Sequence, residues 1–531
     1  MQVKYFAIFI IMALWLHACK NLKDKNVVRD TSITVVTSFN NLFTDSIQLE
    51  NFIGSHPRYK KYEKQYIDFY KQRNYEYAWF DSSGLGEQAH NFINLLNNTI
   101  SNLQDSSLYN KAVYAMYNKF IADDKKPKHY GEILQTELYL TGQFFHYAAK
   151  VYNGSDVDVS ELGWFIPRKK VDLTALLDSV IQSKGKETDE YVSLNSQYKK
   201  LQDFLSIYFD LQKKDQWDSI PKPAKSIRPG EVSEIIPEIK NRLTILSDLT
   251  VNDSSATFDS SLLFAVKRFQ KRMGLSPDGV IGARMINELN ITPGKRIEQI
   301  LINLERLRWM PAEQNNDYIY VNIPAFKMYV YENGKLNFST NVIVGTAANN
   351  TVIFTGNLKY IVFSPYWNVP ASIVEKEIIP ALKKDTGYLT RHHMEITGYN
   401  NGMPMIRQKP GGDNSLGLVK FLFPNNYDIY FHDTPNRDLF TASSRNFSHG
   451  CIRVGEPKKL AEYLLRGDSS WNSAAIDSAM HLIDEKWVSL THSVPVIICY
   501  FTAWVDKDGL LNFRKDIYGH DAKMADKLFV K

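Results

Sequence analysis

The spacing of hydrophobic residues changes along the chain. In residues 59–70, and in further segments up to about residue 213, apolar and aromatic residues recur three and four positions apart, which predicts amphipathic helices. In 318–323 and 327–331 they alternate with polar residues, and Glu332-Asn333-Gly334 then predicts a tight hairpin turn. The pattern therefore predicts a multidomain α+β protein with a helical N-terminal part and a β-rich C-terminal part.

A smaller helical unit is predicted between these two parts. One face of its central helix is apolar and is formed by Leu262, Leu263, Val266, Phe269 and Met273. We expect Gly274 to end this helix and Asp278-Gly279 to turn the chain. Because residues 214–230 are rich in Lys, Pro and Ser, they predict a linker, and the unit is placed at 231–292.

The strands of the C-terminal part are interrupted at about 371–412 by a predicted helix and loops. An insertion at this place is suited to cover a site in the β-rich domain as a lid. The predicted boundaries are 1–19 for a lipoprotein signal peptide, 20–55 for a polar tether, 56–215 for the helical domain, 231–292 for the smaller unit and 316–505 for the β-rich domain.

The N-terminal residues have the features of a targeting segment. Lys4 is followed by an apolar run, 5–16, which is too short to span a bilayer. The sequence Leu16-His17-Ala18-Cys19 resembles a bacterial lipobox. This resemblance implies cleavage before Cys19, lipidation of that cysteine, and a place in the bacterial cell envelope facing the periplasm. The alternative is an ordinary signal peptide with an incidental cysteine.

Charge and cysteine content narrow the possible functions. A formal net charge of +5 over 531 residues is small and does not argue for a nucleic-acid partner. The chain has three cysteines, and two thiols remain if Cys19 is lipidated. Cys499 lies in an apolar, strand-like run and is expected to be a buried small hydrophobe.

The candidate chemistry is concentrated in residues 431–454. His432 ends a predicted strand, fifteen residues separate it from Ser448, and Ser448-His449-Gly450-Cys451 follows. A thiol is a poor nucleophile while it is protonated, and an imidazole within hydrogen-bond reach activates it. Gly450 leaves the backbone beside Cys451 uncrowded, so that N–H groups can point at a substrate carbonyl oxygen.

This motif resembles the active-site motif of the L,D-transpeptidases, the YkuD-type family, which has a His, a spacer of about this length and Ser/Thr-His-Gly-Cys. The resemblance implies that Cys451 is the nucleophile and that His432 is its proton donor and acceptor. It also implies that the backbone carbonyl of Asp433 orients the imidazole and that the N–H groups of Gly450 and Cys451 bind the oxyanion. His449 is then a residue that shapes the loop.

The same resemblance implies a β-sandwich catalytic domain that forms 3-3 crosslinks between peptidoglycan stem peptides through a cysteine thioester, without a metal or cofactor. Residues 231–292 resemble a peptidoglycan-binding-like domain, and the start of 56–215 resembles the scaffold domain of large L,D-transpeptidases. A glycan-strand synthase is a candidate partner. The candidate substrate-binding residues are Arg453, which stands where many members have Asn, with Ser448, Tyr430 and Trp367.

Other functions remain open from the sequence. His432, Asp433, His449 and Cys451 include the ligand types of zinc, but no usual ligand spacing supports a metal site. The same residues would also serve a thiol L,D-carboxypeptidase or hydrolase that acts on the same stems with water as the acceptor. A non-catalytic wall-binding lipoprotein would instead use the unit at 231–292, which either binds glycan or only packs against its neighbours.

Overall fold

The computed structural model describes residues 41–122, 129–168, 170–185, 196–215, 217–311 and 316–529. The predicted signal peptide with Cys19, and residues 20–40 of the predicted tether, lie outside the described residues. The chain divides into two compact units. Among the described residues, the first unit contains those up to Gly154 and 170–185, and the second contains 155–168 and the chain from residue 196 onward.

The first unit is helical with an aromatic core. Tyr66 and Phe145 are fully buried there. The carboxylate of Glu137 lies in the same core and accepts the backbone N–H groups of Ala78 and Trp79 at 2.6 and 2.9 Å. Burial raises the pKa of Glu137 to about 7. The elements are α1 (Ser46–Ser55), α2 (Pro57–Lys60), α3 (Glu63–Gln72), β1 (Phe80–Asp81), β2 (Gly84–Leu85), α4 (Glu87–Leu103), α5 (Lys111–Ala122), α6 (Tyr130–Ala148) and α7 (Leu173–Gln182).

Helix α1 lies inside the predicted tether, so the tether prediction is wrong for residues 46–55. The carboxylate of Asp45 caps the helix by accepting the N–H of Gln48 at 2.7 Å. The helix buries Leu49, Phe52 and Ile53. These residues follow the helical spacing. The helix is short and its flanking sequence is polar, so the composition of the segment predicted a tether instead.

The second unit begins with a short 3-10 turn, Ser160–Leu162, and continues as helices. These are α8 (Ser196–Lys213), α9 (Ile236–Ile245), α10 (Ser260–Arg272), α11 (Ala283–Leu289) and α12 (Pro293–Trp309). The predicted helical unit at 231–292 contains three helices, α9, α10 and α11, and is called the three-helix unit below; Val266 and Phe269 are fully buried in it. As predicted, the chain turns at Gly274 and Gly279, whose φ angles are +72° and +77°.

Two segments contact neighbours outside their predicted domains. Helical spacing assigns α8 to the predicted domain 56–215, and in the structure α8 clusters with the second unit, where Arg308 of α12 donates to the Tyr198 hydroxyl at 2.6 Å. In the predicted linker, Ile220 and Ile227 are buried, and Ile227 pairs with Ile281 of the three-helix unit. Helical spacing identifies an apolar face but not the neighbour that covers it, which explains both differences.

The C-terminal domain is built on a nine-stranded mixed sheet. Its strands and those around it are β3 (Tyr318–Asn322), β4 (Lys327–Glu332), β5 (Lys335–Gly345), β6 (Phe354–Phe363), β7 (Trp367–Asn368), β8 (Met394–Asn400), β9 (Met403–Gln408), β10 (Val419–Leu422), β11 (Phe431–His432), β12 (Asn446–Ser448), β13 (Ile452–Val454), β14 (Lys486–Cys499), β15 (Ala503–Val505) and β16 (Leu511–Phe513).

The strand order in the large sheet is β12-β5-β13-β11-β10-β6-β14-β3-β4, and β4 also pairs with β5. Because β5 pairs near both ends of this order, the sheet closes on itself, and the two layers of the predicted sandwich are continuous through β5. The predicted hairpin connects β4 to β5, with Asn333 and Gly334 at φ +49° and +73°.

The predicted insertion is a small folded subdomain. Strands β7, β9 and β8 form a separate three-stranded sheet. A helical stretch packs on it and consists of α13 (Ala371–Ile373), a π-helical turn (Val374–Ile378) and α14 (Ile379–Lys384), followed by α15 (Tyr388–Arg391). Val369, Val374, Ile378 and Ile406 form its core.

Three further helices complete the domain: α16 (Pro457–Leu465), α17 (Ser473–Ala479) and α18 (His520–Leu528). Among the helices of the described residues, none is long and apolar enough to cross a membrane.

Candidate active site

The candidate catalytic residues lie on two neighbouring parallel strands. Phe431 of β11 pairs with Ile452 of β13, and His432 pairs with Arg453. Phe431 and Ile452 point into the core and are fully buried. Because side chains alternate along a strand, His432 and Arg453 lie together on the opposite face. The strand predicted to end at His432 is shorter than expected, since it begins only at Phe431.

The His432 ring is buried and held in one orientation. Its Nδ1 lies 2.6 Å from the backbone carbonyl oxygen of Asp433. A carbonyl only accepts, so Nδ1 carries the proton and Nε2 keeps its lone pair. Burial, and secondarily the positive charge of Arg453, lower the pKa of His432 to about 3. The imidazole is therefore neutral near pH 7 and is able to accept a proton.

The Asp433 carboxylate is held by two backbone N–H groups and one arginine side chain. It accepts the N–H groups of Leu418 at 2.9 Å and Thr434 at 2.7 Å, and it is paired with Arg437. Arg437 also donates to the carbonyl of Gly455 at 3.0 Å. The half-exposed Arg437 is therefore paired, four residues along the chain, with the residue whose carbonyl orients His432. The spacing of the two charges was the available signal.

Cys451 immediately precedes β13 and is half-buried. Its thiol donates to the backbone carbonyl of Asp428 at 3.4 Å, and among the described residues it has no direct hydrogen bond to the His432 ring. Burial raises the pKa of the thiol, while hydrogen bonding to Tyr430 and the charge of Arg453 act in the opposite direction. At neutral pH the sulfur is therefore protonated and turned toward Asp428.

Tyr430 and Arg453 lie beside this thiol. The Tyr430 ring is 5.7 Å from the His432 ring, between ring centroids, and burial raises the pKa of its phenol. Burial lowers the pKa of Arg453. Within the described chain the Arg453 guanidinium has no hydrogen-bond or ion-pair partner, and its Nε is buried. Such a cation stabilises a thiolate and is available to a carboxylate of a ligand.

The loop before Cys451 is fixed by hydrogen bonds. The Ser448 hydroxyl donates to the carbonyl of Cys451 at 2.6 Å and accepts the N–H of Gly450 at 3.2 Å. This contradicts the prediction that the Gly450 N–H is free for an oxyanion, and it leaves the Cys451 N–H for that purpose. Gly450 has φ +116°, and its carbonyl accepts the Thr351 hydroxyl at 2.7 Å. Thr351 is distant in sequence and has no local motif, so sequence reasoning missed it.

The remaining predicted residues connect the loop to the insertion. His449 Nε2 lies 3.4 Å from a carboxylate oxygen of Glu377, which is in the π-helical turn of the insertion. Trp367 is partly buried and packs against the core of the insertion. In the described segments no group of three His, Cys, Asp or Glu side chains is arranged to hold a metal ion.

Three family models match the sequence. A model of the L,D-transpeptidase catalytic domain (YkuD) matches residues 316–482, a model of a scaffold domain matches 64–205, and a model described as "Putative peptidoglycan binding domain" matches 233–289. A curated protein of Haemophilus influenzae named "Putative L,D-transpeptidase" is 32% identical over 252 residues. The alignment covers 45% of this chain and 50% of that protein, so the chain spans about half the length of this curated relative.

Two crystal structures of L,D-transpeptidases were also found. The structure of residues 123–326 from Xylanimonas cellulosilytica is 13% identical, covers 52% of this chain and 100% of that chain, and has a TM-score of 0.18. The structure from Stackebrandtia nassauensis is 15% identical, covers 52% and 97%, and has a TM-score of 0.21. Because both TM-scores are low, the C-terminal domain is identified by the sequence matches given above and not by these two structures.

Proposed function

Since the chain belongs to the L,D-transpeptidase family through its YkuD catalytic domain, we propose that it remodels peptidoglycan by cysteine acyl transfer and forms 3-3 crosslinks between stem peptides. The observation that carries this proposal is the pairing of β11 with β13. It pairs His432, a neutral imidazole whose Nδ1–H is fixed on the Asp433 carbonyl, with Arg453, which follows Cys451 by two residues.

The first step is acylation of Cys451. The sulfur turns from the Asp428 carbonyl toward the substrate and attacks the carbonyl of the third residue of a donor tetrapeptide, while the thiol proton passes to Nε2 of His432. The Cys451 N–H stabilises the oxyanion. The C–N bond to the terminal D-Ala then breaks, and its amine leaves with the proton from His432.

The second step transfers the acyl group. An amine of a second stem attacks the thioester, and His432 accepts a proton from this amine and returns one to the sulfur as the C–S bond breaks. The product is an amide between two third-position residues and a regenerated thiol. Tyr430 and Arg453 stabilise the thiolate in both steps, because each lowers the pKa of Cys451.

Transfer competes with hydrolysis of the thioester by water. The insertion supports acyl transfer over hydrolysis for two reasons. Its Glu377 contacts His449, two residues before Cys451, and the subdomain has its own hydrophobic core. A folded cover at this place limits the access of water while the acceptor amine enters.

Incubation of the protein with tetrapeptide stems tests the proposal. We expect crosslinked dimers and a thioester adduct on Cys451 by mass spectrometry, and we expect both to be lost in Cys451→Ala. Cys499→Ala removes the buried thiol of β14 and is the matched control that retains product. Trimmed monomers without dimers would instead indicate a carboxypeptidase, and unchanged stems would indicate a wall-binding protein.

The location and partners are part of the same proposal. We infer a protein anchored to a membrane through lipidated Cys19 that faces the periplasm, where peptidoglycan lies. The match of 233–289 to a peptidoglycan-binding model supports a role at the cell wall. A glycan-strand synthase that supplies new acceptor strands is the proposed partner.

A further inference from the structure

We propose that Phe165 and Tyr427 form a platform that stacks on a pyranose ring of the glycan strand carrying the donor stem. The inference rests on the proposed function and deepens it, because it identifies the donor as a glycan-linked stem rather than a free peptide. The platform comprises these two aromatic rings, and nothing in the catalytic steps described above uses either of them.

The two rings are in contact with each other and open to solvent. Their centroids are 5.3 Å apart with an interplanar angle of 37°. Phe165 is 42% exposed and Tyr427 is 37% exposed, which is high for aromatic rings in a well-packed domain. Phe354 supports Tyr427 from the core side, at 4.9 Å between centroids.

The backbone beneath the platform is anchored on both sides. Trp164 and Ile166, the neighbours of Phe165, are each only 2% exposed. The N–H of Phe165 donates to the carbonyl of Ile353 at 2.8 Å, and Trp164 forms a bridge with Ile353. The chain therefore holds an apolar ring at the surface in a fixed position, so little conformational freedom is lost when a ligand covers it.

The platform lies at a suitable distance from the nucleophile. Tyr427 directly precedes Asp428, whose carbonyl accepts the Cys451 thiol at 3.4 Å. Because consecutive Cα atoms are about 3.8 Å apart, the backbone of Tyr427 lies within roughly 10 Å of the sulfur. In a peptidoglycan stem the attacked carbonyl belongs to the third residue, and three extended residues also span roughly 10 Å from the sugar.

The side chains around the platform suit a sugar. Asn426 and Asp428 flank Tyr427, both are exposed, and within the described chain neither side chain makes a hydrogen bond. A pyranose ring has a C–H face that packs on an aromatic ring and a rim of hydroxyls that bonds amide and carboxylate groups. An apolar surface with a few polar groups at its edge meets both needs.

The test compares two donors of equal peptide sequence, a free tetrapeptide and a disaccharide-tetrapeptide. We expect wild type to have the higher kcat/KM on the disaccharide-linked donor, and Phe165→Ala to lower the ratio of the two values about tenfold, which corresponds to ~1.4 kcal/mol. Phe165→Tyr keeps a ring and restores the ratio. Trp487→Ala, at another 54%-exposed aromatic residue, leaves the ratio unchanged.

An unchanged ratio in both Phe165→Ala and Tyr427→Ala would overturn the platform. If wild type turns over neither donor, the proposed function fails, and direct binding then decides the inference alone. In that measurement, saturation-transfer NMR of the free disaccharide shows contact with wild type that is lost in Phe165→Ala. Equal contact with both proteins would reject the platform.

Discussion

At the scale of single residues, the site contains a neutral imidazole (His432), a protonated thiol (Cys451) and one cation (Arg453). Burial lowers the pKa of His432 to about 3 and raises that of the Cys451 thiol. The imidazole is therefore ready to accept a proton at any pH above about 4, and the thiol is the partner whose ionisation limits reactivity. Arg453 favours the thiolate and disfavours the imidazolium, so its charge acts on both groups in the direction that catalysis needs.

Replacing Arg453 with Met removes this charge and keeps the length of the side chain. We expect the thiol pKa, already above its usual value of about 9, to rise further, and the His432 pKa to rise from about 3 toward its ordinary value. Alkylation of Cys451 by iodoacetamide, followed by peptide mass spectrometry from pH 6 to 10, measures the first change. The rate at pH 7 falls about tenfold for each unit by which the pKa rises.

The matched control for this prediction is Arg391→Met, which removes an exposed arginine paired with Asp385 in the insertion. We expect this variant to keep the wild-type alkylation profile. If Arg453→Met were alkylated at neutral pH as fast as wild type, Arg453 would have no electrostatic effect on the sulfur.

At the scale of elements, the loop at residues 448–451 is held between strands that are far apart in sequence. The Thr351 hydroxyl accepts the N–H of Gly345 at 2.9 Å and donates to the carbonyl of Gly450 at 2.7 Å. Tyr518 donates to the carbonyl of Gly345 at 2.6 Å. The end of β5 and Gly450, the residue before Cys451, are thus joined through one buried hydroxyl.

We expect Thr351→Val to weaken this connection without changing the volume of the side chain. The substitution leaves two buried backbone groups without a partner, which costs about 1–3 kcal/mol of local stability. Amide hydrogen exchange in residues 446–452 should accelerate, and acylation of Cys451 should slow about tenfold or more, because the sulfur is less well positioned. Thr351→Ser keeps the hydroxyl and serves as the control. Exchange and acylation at wild-type rates in Thr351→Val would exclude this role.

At the scale of the whole molecule, the proposed membrane anchor depends on one cysteine. Cys19→Ala removes the acceptor of the lipid, and we expect the protein to move from the membrane fraction to the released fraction on cell fractionation. Cys499→Ala, which removes a thiol from β14, should stay with the membrane. A Cys19→Ala protein that remains membrane-bound after cleavage of its N-terminus would refute lipid anchoring.

The sequence predicts those parts of the molecule that depend on local signals. The hairpin at Asn333-Gly334 and the turn at Gly279 follow from residues that favour positive φ, and the structure has both. Asp428 also has a positive φ, +54°, and follows the turn-forming residues 424–426, a local signal that the strand prediction overlooked, so the strand that ends at His432 is shorter than predicted. Contacts that join distant segments, such as Thr351 to Gly450, produce no regular spacing of residues from which they could be predicted.

The same limit applies to the division of the chain. Residues 155–168 lie within the predicted helical domain, yet Trp164 pairs with Ile353 and the segment belongs to the second unit. Hydrophobic spacing predicts that such residues are buried, but it does not indicate which partner buries them. The platform residue Phe165 depends on this placement and was therefore beyond the reach of the sequence.

The hydrogen bond from Cys451 to the Asp428 carbonyl has a consequence for the lifetime of the enzyme. Oxidation of cysteine to sulfenic and sulfinic acids starts from the thiolate, and it is slow for a protonated, half-buried sulfur. In the proposed cycle, Cys451 between turnovers is consequently kept in a protonated form that peroxide attacks poorly. Oxidants are then expected to damage mainly substrate-bound molecules, in which the thiol ionises, while substrate-free molecules stay intact.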